Sequence, residues 1–260
     1  MITVTKSKTY IERIFTRADI KFVKSLSERS FRYANKLFVA EGNKSVQDIL
    51  TSAIKVSRIF CLEPWFNQNY LHLPKDIEIT FIHQKDLDQL TTLKSTREVL
   101  AVCEMQTLGF EPQRLKGLTL AVDTLQDPGN LGTIIRLADW YGIKTILCSE
   151  PTVDCYNSKT IQATMGSIGR VNVFYGSLSQ WFAEASLPVI AAAMKGVNSR
   201  EFKFPEHCVL LIGNEGQGIS KELKEYVHQS ITIEKRGSAE SLNAAMAATI
   251  LVDRYFGQAF

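Results

Sequence analysis

Short apolar runs alternate with amphipathic stretches along the whole chain, and the pattern is interrupted once, near residues 104–117. Before the interruption, β-type runs at 37–40, 56–61, 77–82 and 99–103 are separated by helical periodicity at 45–53 and 85–93. This alternation predicts a small α/β domain. Ahead of it, residues 21–35 place apolar positions at helical spacing with basic residues between them, which predicts one basic amphipathic helix. Residues 104–117 lack a period and hold two glycines and a proline, as linkers do. Beyond them, strands are predicted at 118–125, 145–149, 171–174, 189–193, 208–212 and 230–233. Helices are predicted at 131–141, 158–168, 178–185 and 242–256, with a short one near 220–226. Strands with interleaved helices imply a parallel sheet covered on both faces. The expected layout is a domain over 1–103, a linker over 104–117 and a second α/β domain over 118–260.

Composition adds little until charge is resolved along the chain. The 260 residues allow one or two domains, and the net charge is only +3. Residues 1–60, however, hold twelve Lys/Arg against five Asp/Glu, a net +7 that leaves −4 for the remainder. A basic first segment on a mildly acidic body suits a polyanion-binding module, although a solvated helical face would give the same count. Lys21, Lys24, Arg29 and Arg32 on the predicted helix are the candidate contacts. No apolar run reaches the length of a membrane span, and the first residues lack an apolar signal core, so neither insertion nor export is expected. The five cysteines are scattered without a Cys-x-x-Cys pair, as for thiols in a reducing cytoplasm. The four histidines form no helical pair, so no metal site is expected.

Three polar loops interrupt the apolar pattern of the second half. They are Asp127-Pro128-Gly129-Asn130-Leu131-Gly132-Thr133-Ile134-Ile135-Arg136, Leu211-Ile212-Gly213-Asn214-Glu215-Gly216-Gln217-Gly218-Ile219, and Glu240-Ser241-Leu242-Asn243 opening an alanine-rich helix. The first two each follow a predicted strand and the third lies after the last one, where parallel α/β sheets gather ligands. Their glycines permit close backbone approach or positive φ, and each loop taken alone would also fit an ordinary turn. Familiar nucleotide motifs are absent. No Gly-x-Gly-x-x-Gly opens a helix after the first strand, and Gly213-x-x-x-x-Gly218 is followed by Ile219-Ser220 instead of the P-loop lysine. Gly166-Ser167-Ile168-Gly169 lacks the spacing of a serine-hydrolase elbow.

In order and spacing, the three loops resemble the signature motifs of the SpoU/TrmH family of RNA ribose 2′-O-methyltransferases, of the knotted SPOUT class. Phe38-Val39-Ala40-Glu41-Gly42 and Ser95-Thr96-Arg97-Glu98-Val99-Leu100-Ala101-Val102 resemble that family's ribosomal-protein-L30e-like substrate-binding domain. The resemblance implies S-adenosylmethionine as methyl donor, a trefoil-knotted second domain, a homodimer formed through it, and RNA as partner. Ribosomal RNA is the preferred substrate class because the extra first domain is typical of members acting on it. Transfer RNA is the alternative, and a non-catalytic RNA-binding assembly factor is the rival class. Cofactor contacts carried across fall on Gly213, Ile233 and Leu242, with Met194 a weaker candidate. Glu234-Lys235 stands where the family often has Pro-Met, which alters the rim of the implied pocket.

The family's catalytic positions fall on Asn130, Arg136, Glu215, Ser241 and Asn243. Transfer to a 2′-hydroxyl needs alignment and loss of a proton, and no metal, because the leaving group is a neutral thioether. Arginine is often given the role of base in this family, yet a guanidinium with a pKa above about 12 is a poor one. Arg136 is expected instead to grip the phosphate beside the target ribose and to stabilise the developing alkoxide. Asn130 is expected to orient Arg136, Glu215 to accept hydrogen bonds from that network, and Ser241 and Asn243 to cap the last helix and touch substrate or cofactor. Gly213→Val is expected to weaken cofactor binding while largely sparing the fold, and removal of residues 1–103 to leave cofactor affinity intact and weaken RNA binding.

Overall fold

The computed structural model describes residues 10–91, 98–107 and 109–258. Ser95, Thr96 and Arg97 of the first-domain motif, and the end of the helix expected over 85–93, lie outside the described residues. The chain divides into two compact units, the first comprising Met1–Thr107 together with Tyr156–Gly169, the second Leu108–Cys155 with Arg170–Phe260. Among the described residues no helix is long and apolar enough to cross a membrane.

In the first unit the elements run β1 (Ile11–Glu12), α1 (Arg17–Ser25), α2 (Arg29–Asn35), β2 (Leu37–Glu41), α3 (Asn43–Leu50), β3 (Val56–Cys61), α4 (Glu63–Asn69), β4 (Glu78–Phe81), α5 (Gln84–Leu90) and β5 (Val99–Glu104). The strands form one sheet in the order β1-β4-β3-β5-β2. β1, β4 and β3 are parallel neighbours, while β5 runs antiparallel to both β3 and β2. Phe38, Ile59, Phe60, Trp65 and Ile79 are fully buried around it. The single helix expected over 21–35 is two helices. α1 starts earlier, at a capping box in which the Thr16 side chain accepts from the Asp19 backbone N–H and Asp19 accepts from Thr16 in return. It ends at Leu26, which is buried, and Arg32 turns inward to donate to the carbonyls of Leu26 and Ser27 at 2.9 and 2.6 Å. Tertiary burial thus breaks a helix that local periodicity would continue.

Residues 156–169, read from the sequence as part of the second domain, pack with the first unit. They hold α7 (Ser158–Thr164) and a 3₁₀ turn at Ser167–Gly169, so the helix expected over 158–168 is shorter. The Tyr156 ring lies 4.8 Å from that of Phe38, and its hydroxyl accepts the Gln106 N–H at 3.2 Å. Gly166, at φ +84°, has no room for a side chain: a Cβ there would meet the Cβ of Asp48 at 2.2 Å. A Cβ on Gly169 would meet that of Ser52 at 2.4 Å. The Gly-x-x-Gly spacing therefore seats this turn on α3 and the residues following it.

The second unit contains β6 (Leu118–Val122), α6 (Pro128–Trp140), β7 (Thr145–Ser149), β8 (Asn172–Gly176), α8 (Leu178–Ala185), β9 (Val189–Asn198), β10 (Cys208–Ile212), β11 (Val227–Thr232) and α9 (Ala244–Phe256). Its strands form a six-stranded parallel sheet in the order β11-β9-β10-β6-β7-β8. β6 and β10 are buried at every residue, which is why they read as apolar runs broken only by Thr119. Ala121, Leu147, Val209 and Leu211 pack against Leu178 and Phe182 of α8. Leu120, Ile146 and Leu210, fully buried, point to the other face because strand residues alternate. α6 and α9 are joined at one end by Tyr141, whose ring stacks on Phe256 at 5.0 Å and whose hydroxyl donates to Asp253 at 2.9 Å. The chain leaves β6 toward β7 and β8, then returns to the other side of β6 through β9 and β10. This reversal makes the carboxyl ends of β6 and β10 the switch point where such sheets bind ligands.

Candidate active site

The first two polar loops leave from those two strand ends, and the structure ties them together. Asp127 caps α6, its Oδ1 accepting the Asn130 N–H at 2.8 Å, while Pro128 occupies the first turn where no donor is needed. The cap fixes Asn130 at the start of the helix. Its Nδ2 donates to Glu215 Oε1 at 2.6 Å, and its Oδ1 accepts from Asn243 Nδ2 at 2.8 Å. Asn243 in turn caps α9, its Oδ1 accepting the N–H groups of Ala245 and Met246 at 3.0 and 3.2 Å. One amide therefore joins all three loops with a fixed polarity, donating toward the carboxylate and accepting from the second amide.

Glu215 sits at the tip of a self-closed loop. Asn214 and Gly218 exchange backbone hydrogen bonds at 3.0 and 2.9 Å, and Asn214 Oδ1 accepts the N–H groups of Gly216 and Gln217 at 2.9 and 3.0 Å. Asn214 Nδ2 reaches Thr124 O at 2.9 Å, and Asp123, buried at the end of β6, accepts the Ser220 N–H at 2.8 Å. Sequence reading missed Asn214, Asp123 and Asp127 as organisers; Asp-Pro before a helix and Asn before Glu-Gly are the local signals that could have found two of them. Gly213 lies against this closure: a Cβ there would come within 2.5 Å of the Gly218 carbonyl carbon. The expectation that Gly213→Val spares the fold is therefore revised, because backbone, not ligand, is the first thing a side chain meets.

Beside the network lies a cavity of about 510 Å³, within the range of small-molecule sites, about 300–1,000 Å³. Gly213, Ile233, Leu242 and Met194 all line it. Small residues at Ala192, Ala193, Gly213, Ala244 and Ala247 leave the backbone within reach of a ligand, with Ile212 and Leu251 supplying apolar wall. This lining suits a purine-bearing ligand held by main-chain groups, as S-adenosylmethionine would be. Met194 stands inside β9 and not after it, since the strand continues to Asn198 and pairs with β11 to its end. Its side chain is exposed, as is that of Leu242. Glu234 and Lys235, expected at the rim, line the cavity together with Arg236, which the sequence reading did not single out and which pairs with Glu234 at 3.6 Å.

Two catalytic expectations change. Arg136 is exposed, makes no hydrogen bond or ion pair among the described residues, and does not line the cavity of its own chain. It follows Asn130 by six residues, which on a helix means about 9 Å along the axis and a side-chain direction about 120° away. Asn130 thus orients Glu215 and Asn243, not Arg136. Ser241 lines the cavity and does not cap α9; Asn243 alone does so. In the first unit, Lys21, Lys24 and Arg29 are exposed, but Arg32 is buried in its bonds to Leu26 and Ser27 and is unavailable to RNA.

All five cysteines are unpaired and buried. Burial pushes the Cys61 and Cys208 thiols up to about 12 and those of Cys103, Cys148 and Cys155 further, so none is a nucleophile near neutrality. Among the described residues no cluster of His, Cys, Asp or Glu is arranged to hold a metal ion.

Comparison with known proteins gives concordant matches for both units. Residues 117–253 match the SpoU rRNA Methylase family, and residues 17–101 match the MRM3-like substrate binding domain. A Bacillus subtilis protein named 23S rRNA (guanosine(2553)-2′-O)-methyltransferase RlmP is 29% identical over 241 residues, covering 90% of this chain and 94% of that protein. The Streptomyces viridochromogenes 23S rRNA (uridine(2479)-2′-O)-methyltransferase is 30% identical over 60% of this chain and 58% of its own. Among solved structures, an AdoMet-bound rRNA methyltransferase from Sinorhizobium meliloti superposes with a TM-score of 0.83 at 27% identity, covering 94% of this chain and 97% of that one. A TrmH-family protein from Porphyromonas gingivalis gives 0.83 at 30% identity, with 94% and 98% covered.

Proposed function

The chain belongs to the SpoU rRNA methylase family, and from that premise we propose that it methylates a ribose 2′-hydroxyl of ribosomal RNA using S-adenosylmethionine. The observation that favours an enzyme over a non-catalytic RNA-binding protein is the Glu215–Asn130–Asn243 chain standing beside the cavity. An assembly factor would have no need to hold that network in register with a cofactor-sized pocket.

When bound, S-adenosylmethionine would supply a sulfonium methyl group to the ribose 2′-oxygen, the thioether leaving as a neutral molecule and the hydroxyl proton passing to water. Main-chain groups around Gly213, Ile233 and Leu242 would hold it, with Met194 at the opening. Asn130 and Glu215 position the nucleotide, and Ser241 and Asn243 complete the polar lip. Arg136 works by charge, gripping phosphate and stabilising the alkoxide. Since it lies off its own chain's cavity, it reaches a reacting nucleotide most directly at the pocket of a second copy. Support for a homodimer comes from the exposed apolar side chains of Trp140 (84% exposed), Met246 and Phe256 on the paired helices α6 and α9. Threading of the segment between β11 and α9, the family's trefoil knot, belongs to the same reading. So does a cytoplasmic location, which the five unpaired thiols favour.

The test is transfer of labelled methyl from S-adenosylmethionine to ribosomal and transfer RNA, with and without chelator, followed by alkaline hydrolysis. Ribose methylation leaves label in alkali-stable dinucleotides, and ribosomal RNA should be the better acceptor. Label on a base, no cofactor binding at millimolar concentration, or strict metal dependence would each refute the reading. Arg136→Ala should lower the rate by orders of magnitude without changing cofactor affinity, and Arg136→Lys should retain measurable transfer. Lysine, with an ordinary pKa of about 10.4, would shift the basic limb of the pH–rate profile if residue 136 were the base; unchanged shape is expected.

A further inference from the structure

The corner between α1 and α2 exposes a second chemistry besides charge. Arg17, Lys21 and Lys24 fall on one exposed face of α1, and Arg29 and Lys36 are exposed on and after α2. Within residues 17–36 only Glu28 offers an exposed carboxylate, because Asp19 is buried and paired to Arg58 at 2.8 Å. The corner is held from beneath by Arg32, whose Nη1 bonds to Leu26 O and Ser27 O. Here, one turn along α2 from Arg29, stands Tyr33, 41% exposed, with the Arg29 guanidinium 5.4 Å from its ring centroid.

We propose that Tyr33, backed by Arg29, is a stacking platform for an unpaired nucleobase of the RNA substrate, flanked by phosphate contacts from Lys21 and Lys24. This deepens the RNA-methyltransferase reading and rests on it. A cation over one face of the ring falls within the approximately 6 Å range of cation–π attraction, and the residue stays 41% exposed. An exposed aromatic ring among cations is a poor partner for duplex RNA, whose base faces are already stacked on each other. It suits a single-stranded loop or bulge, where a splayed base offers its π-face and the neighbouring phosphates offer charge. The buried Arg32 makes the corner rigid before binding, so little is lost in ordering it.

The platform is tested with the full-length protein by fluorescence anisotropy, using a labelled single-stranded RNA and a duplex of equal length across a salt series. Wild type should prefer the single strand. Tyr33→Ala should weaken single-strand binding roughly ten-fold or more, with duplex affinity and salt slope unchanged. Tyr33→Phe, which keeps the ring, should bind as wild type does. Lys21→Ala should weaken both RNAs and shallow the salt slope by about one ion. If Tyr33→Ala leaves single-strand affinity unchanged, or lowers both affinities alike with a lowered melting temperature, the platform is wrong while the enzyme reading stands. Equal or tighter binding of the duplex by wild type, as a purely ionic surface would give, overturns the platform in the same way. If wild type binds neither RNA while still binding S-adenosylmethionine, the RNA reading itself falls and takes the platform with it.

Discussion

Gly213 offers the sharpest test of how the second loop is built, because three glycines within six residues answer differently to one methyl group. At Gly213 a Cβ would lie 2.5 Å from Gly218 C, 2.7 Å from Gly218 O and 2.8 Å from Ile219 N, all backbone atoms that cannot swing aside. Accommodation requires opening the Asn214–Gly218 closure, whose two backbone hydrogen bonds measure 3.0 and 2.9 Å. At about 0.5–1.5 kcal/mol each, Gly213→Ala should cost about 1–3 kcal/mol. The displaced loop also carries Glu215 away from Asn130, so cofactor affinity should fall by about one to two orders of magnitude if the loop must close to bind. At Gly216 the nearest atom to a Cβ is Asn214 Oδ1 at 3.6 Å, ordinary contact, so Gly216→Ala should be neutral. Gly218 has open space but φ +70°, so Gly218→Ala should cost only the left-handed strain of about 1–2 kcal/mol. Thermal melting and calorimetric titration with S-adenosylmethionine read both quantities. A Gly213→Ala protein that melts and binds like Gly216→Ala would refute the argument.

Asn130→Asp should place a carboxylate against Glu215 at the 2.6 Å contact, cutting methyl transfer at least ten-fold at neutral pH and recovering part of it in acid, where one proton shared between like charges restores a donor; a pH–rate profile parallel to wild type would contradict this. Thr80 is fully buried in β4 with no partner for its hydroxyl among the described residues, so Thr80→Val should raise stability by about 1 kcal/mol, visible in denaturant unfolding. Burial raises the Cys61 and Cys208 thiols from 9.0 to about 12, so above pH 9 the unfolded chain sheds protons that the folded one keeps and stability should fall with rising pH. The fall should be shallower in Cys61→Ala/Cys208→Ala, and all five thiols should react with a disulfide reagent only after unfolding. Removing residues 1–103 should leave 156–169 without the partners Phe38, Asp48 and Ser52, so the truncated protein should melt lower and aggregate, measurable by light scattering, instead of behaving as an independent cofactor-binding domain.

The sequence by itself determined the sheet of the second unit, since β6, β7 and β10 are buried runs bounded by polar loops and burial on both faces writes itself into composition. It also singled out three polar loops after strand ends, and the cavity does join Gly213, Ile233, Leu242 and Met194. Tertiary structure decided what depends on contacts between distant residues. Arg32 reads as one more surface cation until its bonds to Leu26 and Ser27 are seen, and those bonds are also why one expected helix is two. Residues 156–169 carry an ordinary helical period, and only the close approach of Gly166 and Gly169 to Asp48 and Ser52 assigns them to the first unit. Asn130 and Arg136 are neighbours in the motif, yet helical rotation separates them, while Asn130 meets residues 85 and 113 positions away. Periodicity records which face of an element is buried; which distant residue covers that face is fixed only when the chain folds.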